Sequence, residues 1–265
     1  MERTDSSVEA STGLRWRPAA HSLEELLKEA GNTGYVRSLV VDPPMGGPNP
    51  NLPGFLNSGG LLGKGVCWWY SRFTRNALYL ACFLPDEEPP VRSSARKMAV
   101  KLMKAREVVA VPGYGNLRDF SLDYEKEIRR VLENHQLADG VFRFAWINGL
   151  SGSSMMAPGK LEAIMDDIHE MSSRGMVYAK FQTPGLDAHS ILVTGMETLP
   201  HGYRVRYLDS NHYGERILEY GRGDRFLVLE GGMTGIPYPQ RGRELERMKK
   251  VLRSTAIRLG TEPGQ

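Results

Sequence analysis

The sequence predicts an α+β fold in two lobes, an N-terminal helical lobe packed on a C-terminal antiparallel β-sheet lobe. Apolar residues recur at spacings of three and four in several segments before residue 135, the signature of core-facing helices. After Gly159 one more helical segment gives way to four or five short β-runs separated by turn residues, which reads as an antiparallel sheet. Helices come first and strands second, the order of an α+β chain rather than of a parallel α/β one. With 265 residues the chain can bury a real core, as one large domain or two small lobes.

Composition narrows the function classes. Lysine and arginine exceed aspartate and glutamate by only three charges, too few for the field of a dedicated nucleic-acid binder, so no nucleic-acid partner is expected. No apolar run is long enough to span a bilayer. The opening "MERTDSSVEASTGLRWRPAA" lacks the apolar core of a conventional secretory signal, so a cytoplasmic protein is expected unless it is exported by an unconventional route. Two cysteines, Cys67 and Cys82, cannot build a disulfide framework. Read as lying fifteen residues apart in one helix, they are too distant to pair, which fits a reducing compartment.

Taken in order, residues 1–20 are polar and expected to be mobile, with Trp16 the one large anchor. "SLEE" at 22–25 is a capping box, Ser22 with Glu25, opening a short helix that ends near Gly31. "VRSLVV" is read as a strand. The stretch Asp42 to Gly65 is so dense in Pro, Gly and Asn that only a long loop fits, and such loops are usually functional or linkers. A helix is predicted from Cys67 to Cys82, its stripe formed by Phe73, Ala77, Leu80 and Leu84. "RSSARKMAVKLMKAR" (92–106) reads as a cationic amphipathic helix whose lysines form a solvated face. A strand "VVAV", a loop "PGYGN", a helix from Ser121 to about Asn134 and a strand "FRFAWI" follow. A helix on "KLEAIMDDIHEMSSRG" precedes the β-runs "MVYAKFQ", "HSILVTGM", "YRVRYLD", "ERILEY" and "RFLVLE". A last helix spans roughly 241–259, with Leu245, Met248, Leu252 and Leu259 as its stripe.

The chemistry-bearing residues are few. Cys67 sits where a glycine-rich loop turns into a helix, and the partial positive charge at a helix start favours a thiolate, the reactive form of cysteine. Gly63 and Gly65 permit the sharp, close approach of the backbone that an exposed nucleophile needs. Cys82 lacks these features and reads as a small core residue. A thiol nucleophile needs a base, and the base needs a group to hold its ring. His189 opens an apolar β-run, "AHSILVTG", and Asp209 ends the next one, "YRVRYLDSN". Two adjacent antiparallel strands bring those opposite ends together, so Asp209 can fix the imidazole tautomer. Asn211 can do so instead through its amide oxygen.

"GVCWWYS" resembles the nucleophile segment of papain-like cysteine peptidases, Gly-x-Cys-Trp-x-aromatic-Ser, with Gly65, Cys67, Trp68, Tyr70 and Ser71 matching. "AHSILVTG" resembles that family's histidine strand, with His189, Ser190, Ile191, Val193 and Gly195 matching. The separation of 122 residues between Cys67 and His189 is near that family's spacing. An Asp at the end of the next strand is similar to distant bacterial branches of the superfamily. The resemblance covers roughly residues 57–230. It implies a papain-like fold, a thioester acyl-enzyme, a protein or peptide substrate and no cofactor. The family places a Gln six residues before the cysteine as an oxyanion donor; Leu61 stands there, and Asn57 is the nearest amide side chain. The backbone N–H of Cys67 would be the other donor. Loss of a side-chain donor costs other enzymes about 10²–10³ in rate.

The resemblance implies three parts: an N-terminal extension over 1–56, read as a prosegment, a partner-binding region or an extra packing layer; a catalytic domain over 57–235; and a C-terminal helix over 236–265 packed on it. A transglutaminase-like acyltransferase or deamidase uses the same Cys, His, Asp order, but its histidine is usually followed by Ala-Trp, which "HSILVTG" lacks. A catalytically inactive papain-fold binding protein is the other alternative. Lys64 is read as facing solvent, and Trp68 and Trp69 as packing, with Trp68 shielding the ion pair. "GYGN" at 113–116 is too short for a nucleotide fingerprint. His201 and His212 flank the segment holding Asp209, but no Cys or His stands at ligand spacing and no metal site is expected.

Overall fold

The computed structural model describes residues 14–57, 66–142, 154–184, 188–240 and 242–261. Its helical half holds α1 (Leu23–Glu29), α2 (Thr33–Ser38), α3 (Cys67–Leu80), α4 (Arg92–Lys104), α5 (Leu117–Asp123) and α6 (Glu125–Phe142). Two short parallel strands, β1 (Ala81–Leu84) and β2 (Val109–Pro112), lie among them. The helix α7 (Pro158–Arg174) leads into β3 (Val177–Gln182), β4 (Ala188–Leu199), β5 (Gly202–Asp209), β6 (Glu215–Gly221), β7 (Leu227–Val228) and β8 (Thr234–Pro239), and α8 (Arg243–Leu259) follows. These six strands pair antiparallel in the order β6-β5-β4-β3-β8-β7. The sheet curls until β6 nears β7, and Arg216 bridges to Glu230 at 2.7 Å across the gap.

Strand alternation gives the sheet two buried faces. Phe181, Ile191, Val193 and Tyr207 turn to one side and pack with Leu161, Met165 and Ile168 of α7. Tyr178, Leu192 and Leu208 turn to the other and join the core of the helical half, where α3 contributes Phe73, Ala77 and Leu80. The sheet therefore lies directly against the helix that begins at Cys67. Gly175 makes the entry into β3 possible: at φ 154° it adopts a conformation that glycine tolerates, and a Cβ there would fall 2.7 Å from both Leu245 Cδ2 and the Tyr79 hydroxyl.

Several element expectations need correction. The helix from Cys67 stops at Leu80, and Cys82 lies in β1, where Ala81 and Cys82 pair with Val109 and Ala110. "YLACF" is buried on every side, and such a run has no periodicity to separate helix from strand. "VRSLVV" is not a strand. Asn32 caps α2 by accepting the Gly34 N–H at 2.8 Å, and the helix carries Val36 to Ser38 before the chain turns. The helix predicted from Ser121 is two helices: Asn116 caps α5, and Tyr124 (φ −115°, ψ 26°) breaks it from α6. "FRFAWI" lies outside the described residues except for Phe142, which ends α6.

Residues 14–56 share the core of the helical half through Ala20, Leu26, Leu27, Val36, Leu39 and Phe55. The Pro/Gly-rich stretch forms no helix or strand over 42–57, yet it is tightly held. Buried Asn49 donates to the carbonyls of Leu39 and Val41. Buried Asn51 accepts from Ala19 N–H and donates to the carbonyls of Arg17 and Leu39. Loop carbonyls that no ladder satisfies are thus satisfied by amide side chains, the condition for burying irregular backbone.

α8 is fastened to α3 by charge as well as by Leu245, Met248 and Leu252. Glu244 accepts from Arg72 at 2.5 Å and from Arg75, whose side chain is 3% exposed and also lies over the Tyr178 ring. Burial alone would raise the Glu244 pKa; Arg75 and Arg72 together hold it below the usual value. Removing one partner of such a cluster strands a buried charge. Glu244→Ala is expected to cost about 3–5 kcal/mol, seen in urea unfolding as a lowered midpoint with an unchanged slope. Among the described residues no helix is long and apolar enough to cross a membrane.

Candidate active site

Cys67 is the first residue of α3, a free thiol that is partly exposed. The residue before it, Val66, takes the N-cap position without a side-chain cap bond, and the first turn carries no acidic residue. Valine is a poor cap, and the positive end of the helix faces the site. Cys82 differs on each count. It is buried in β1, and burial, with smaller effects from Glu25 and Glu87, pushes its thiol up to about 11, where it stays protonated and inert.

The other two residues come from the sheet. β4 and β5 pair so that Ile191 stands opposite Asp209, which puts the end of β5 beside the start of β4 as the strand argument requires. His189 Nε2 is 2.7 Å from Asp209 Oδ1, both side chains are nearly fully buried, and the Cys67 thiol lies close enough to the imidazole to raise its pKa. With Nε2 on the carboxylate, Nδ1 is the nitrogen left for the sulfur. The Asn211 N–H donates to the same Asp209 oxygen at 2.8 Å, and His212 Nδ1 lies 3.4 Å from the other. Burial by itself would lower the His189 pKa; the bond to Asp209 and the nearby Cys67 more than reverse that and push it up to about 10. For Asp209, burial works upward, and the bonds from His189 and the Asn211 N–H bring the net shift below the usual carboxylate range. The geometry favours an imidazolium on a carboxylate at neutral pH.

Of the two candidates for the third member, Asp209 holds the ring. Asn211 Oδ1 instead accepts from Asn57 Nδ2 at 3.0 Å. Asn57 Oδ1 accepts the Val66 N–H at 2.6 Å, so this side chain does reach the start of α3. Leu61, Gly63, Lys64 and Gly65 lie outside the described residues. His201 and His212 are separated by the length of β5, at opposite ends of that strand. Among the described residues no group of three or more His, Cys, Asp or Glu is arranged to hold a metal ion.

Further contacts join helix and sheet beside Cys67 and His189. Ser71, one turn along α3 from Cys67, meets Ser190, next to His189, with hydroxyls 2.9 Å apart and buried. The Tyr178 hydroxyl donates to the Trp68 carbonyl at 2.6 Å while the two rings meet edge to face, centroids 4.7 Å apart. Burial, reinforced by Cys67, raises the Tyr178 pKa well above its ordinary value, which keeps it a donor. Ser71 and Ser190 stand in the two motif segments with no task that the sequence assigns, and Tyr178 stands in a β-run. Their spacing from Cys67 and His189 was a usable signal for the two serines; Tyr178 gave none.

No family model matches the chain, no curated protein is similar to it, and no solved structure matches it.

Proposed function

We propose that this chain is a papain-like cysteine peptidase that hydrolyses amide bonds of peptides or proteins. The observation that carries the reading is one connected set: a partly exposed thiol at a helix start, beside an imidazole whose Nε2 sits 2.7 Å from a buried carboxylate. A nucleophile, a base and a group orienting the base are the parts that covalent acyl transfer needs. The succession of a helical half and an antiparallel sheet, with the reactive pair where they meet, supports the same reading.

In this scheme the Cys67 thiolate attacks the scissile carbonyl, forming the C–S bond while the carbonyl π pair moves onto oxygen. The Cys67 N–H, at the positive end of α3, stabilises that oxyanion. Asn57 Nδ2 has a second hydrogen beyond the one given to Asn211, and it is the side-chain candidate for the other donor. His189 gives its Nδ1 proton to the departing amine as the C–N bond breaks, leaving a thioester. It then takes a proton from water, whose oxygen displaces the sulfur and restores the ion pair.

The test is covalent trapping. A peptide carrying a vinyl sulfone, incubated with the full chain at pH 7, should add one mass equivalent on Cys67 and none on Cys82. His189→Ala should slow that addition by about 10²-fold or more. Labelling of neither cysteine would leave a cleft-binding protein as the better account.

A further inference from the structure

We infer that Asn57 is a positioning residue that locks the turn carrying Asp209 to the start of the nucleophile helix. The inference rests on the peptidase reading for its purpose but on the hydrogen-bond network for its geometry.

The amide orientation of Asn57 is set by its surroundings. The Val66 N–H can only donate, so the atom 2.6 Å away must be Oδ1; Nδ2 then points to Asn211, whose facing atom must be the acceptor Oδ1. From there the path returns to the sulfur. The Asn211 N–H donates to Asp209 Oδ1, His189 Nε2 shares that oxygen, and the His189 ring lies beside Cys67, the residue after Val66. Asn57 thus closes a ring that contains every member of the site. Without its side chain, the hydrogen-bonded connection from that turn to the Val66 N–H is broken.

Asn57 can serve as a fixed point because the strap before it does not move freely. The Gly54 N–H donates to Ser121 Oγ at 2.7 Å. The carbonyls of Gly54, Phe55 and Leu56 accept from the Tyr213 hydroxyl (3.3 Å), the Tyr70 hydroxyl (2.6 Å) and Arg129 Nη2 (2.7 Å). Asn57 gives its own N–H to the Ser210 carbonyl at 2.7 Å. Three successive carbonyls are therefore gripped from the β5–β6 turn, α3 and α6. The backbone bond to Ser210 survives truncation of the side chain, so the strap keeps its place while the link to α3 is lost.

The experiment reads the rate of Cys67 alkylation by iodoacetamide across pH, in the full chain. That reaction forms no oxyanion and needs no peptide substrate, so it separates positioning from oxyanion donation and stays informative even if no peptide is ever cleaved. Asn57→Ala is expected to slow alkylation at pH 7 by about 5–10-fold, the worth of one hydrogen bond near the upper end of the usual range. Asn211→Ala, which leaves the α3 cap untouched and serves if Asn57→Ala does not fold, should do the same. The double variant should be no slower than either single one, because both remove the same link. Alkylation at the wild-type rate with an unchanged pH profile in either variant, or two effects that multiply, would overturn the inference.

Discussion

Cys67→Ala is expected to abolish amide hydrolysis, a loss on the order of 10⁶-fold where the nucleophile of a covalent mechanism is removed, while the fold persists. The side chain is partly exposed and small, and it is free of any disulfide, so alanine leaves neither a large cavity nor a stranded charge in the core. His189→Ala should fall by a similar factor because nucleophile and base act as a unit, and the double variant should be little worse than either. The two differ in stability. His189 is nearly buried with its bond to Asp209, and its removal leaves that carboxylate with only the Asn211 N–H and the nearby His212. The check is kcat/KM on a quenched peptide mixture with thermal unfolding measured in parallel. Wild-type turnover in Cys67→Ala would end the peptidase reading.

The second large effect belongs to Asp209. Asp209→Ala removes the acceptor and the charge from Nε2, leaving burial, which favours the neutral ring, opposed by Cys67 without the carboxylate's help. A loss on the order of 10⁴-fold is expected, as for other triads that lose their orienting carboxylate. Asp209→Asn keeps an acceptor for the Asn211 N–H but removes the charge, and its loss should be of similar order, as when a triad carboxylate is replaced by its amide. In the wild type the His189 pKa is raised from about 6.5 in an unfolded chain to about 10. Its stabilising contribution is therefore fully present below about pH 6.5 and is lost as pH rises through about 10. Asp209 is shifted down, so its contribution is present above the unfolded value near 3.9 and is lost as pH falls through the lower folded one. The alkaline limb of kcat/KM should lie near pH 10 in the wild type and move down in both variants. An alkaline limb that stays fixed in Asp209→Ala would show that the carboxylate does not govern the imidazole.

How far the sequence reveals this site follows from which signals are local. Cys67 stands in a motif at a loop-to-helix junction. His189 and Asp209 bracket two consecutive apolar runs, and antiparallel pairing converts that order into proximity; the register of Ile191 opposite Asp209 is what the pattern calls for. The periodic helices and the consecutive β-runs were legible for the same reason. Other features depend on partners far along the chain. "YLACF" joins β1 because residues 109–110 lie beside it, which no window around Cys82 reveals. Glu244 in "RELERMKK" looks like one more charge on a solvated helix, and only packing against α3 brings it to Arg72 and Arg75. Asn57 was visible as the nearest amide upstream of Cys67, but its bonds to Val66 and Asn211 follow from the strap's path and not from spacing.

The Glu244 fastening also has a consequence for the order of events during synthesis. A ribosome releases Cys67 long before His189, Asp209 or Glu244, and until the last of these emerges Arg75 has no carboxylate to meet in the interior. The helix that begins at Cys67 therefore gains this counter-ion only after translation has passed residue 244, when most of the chain has been made.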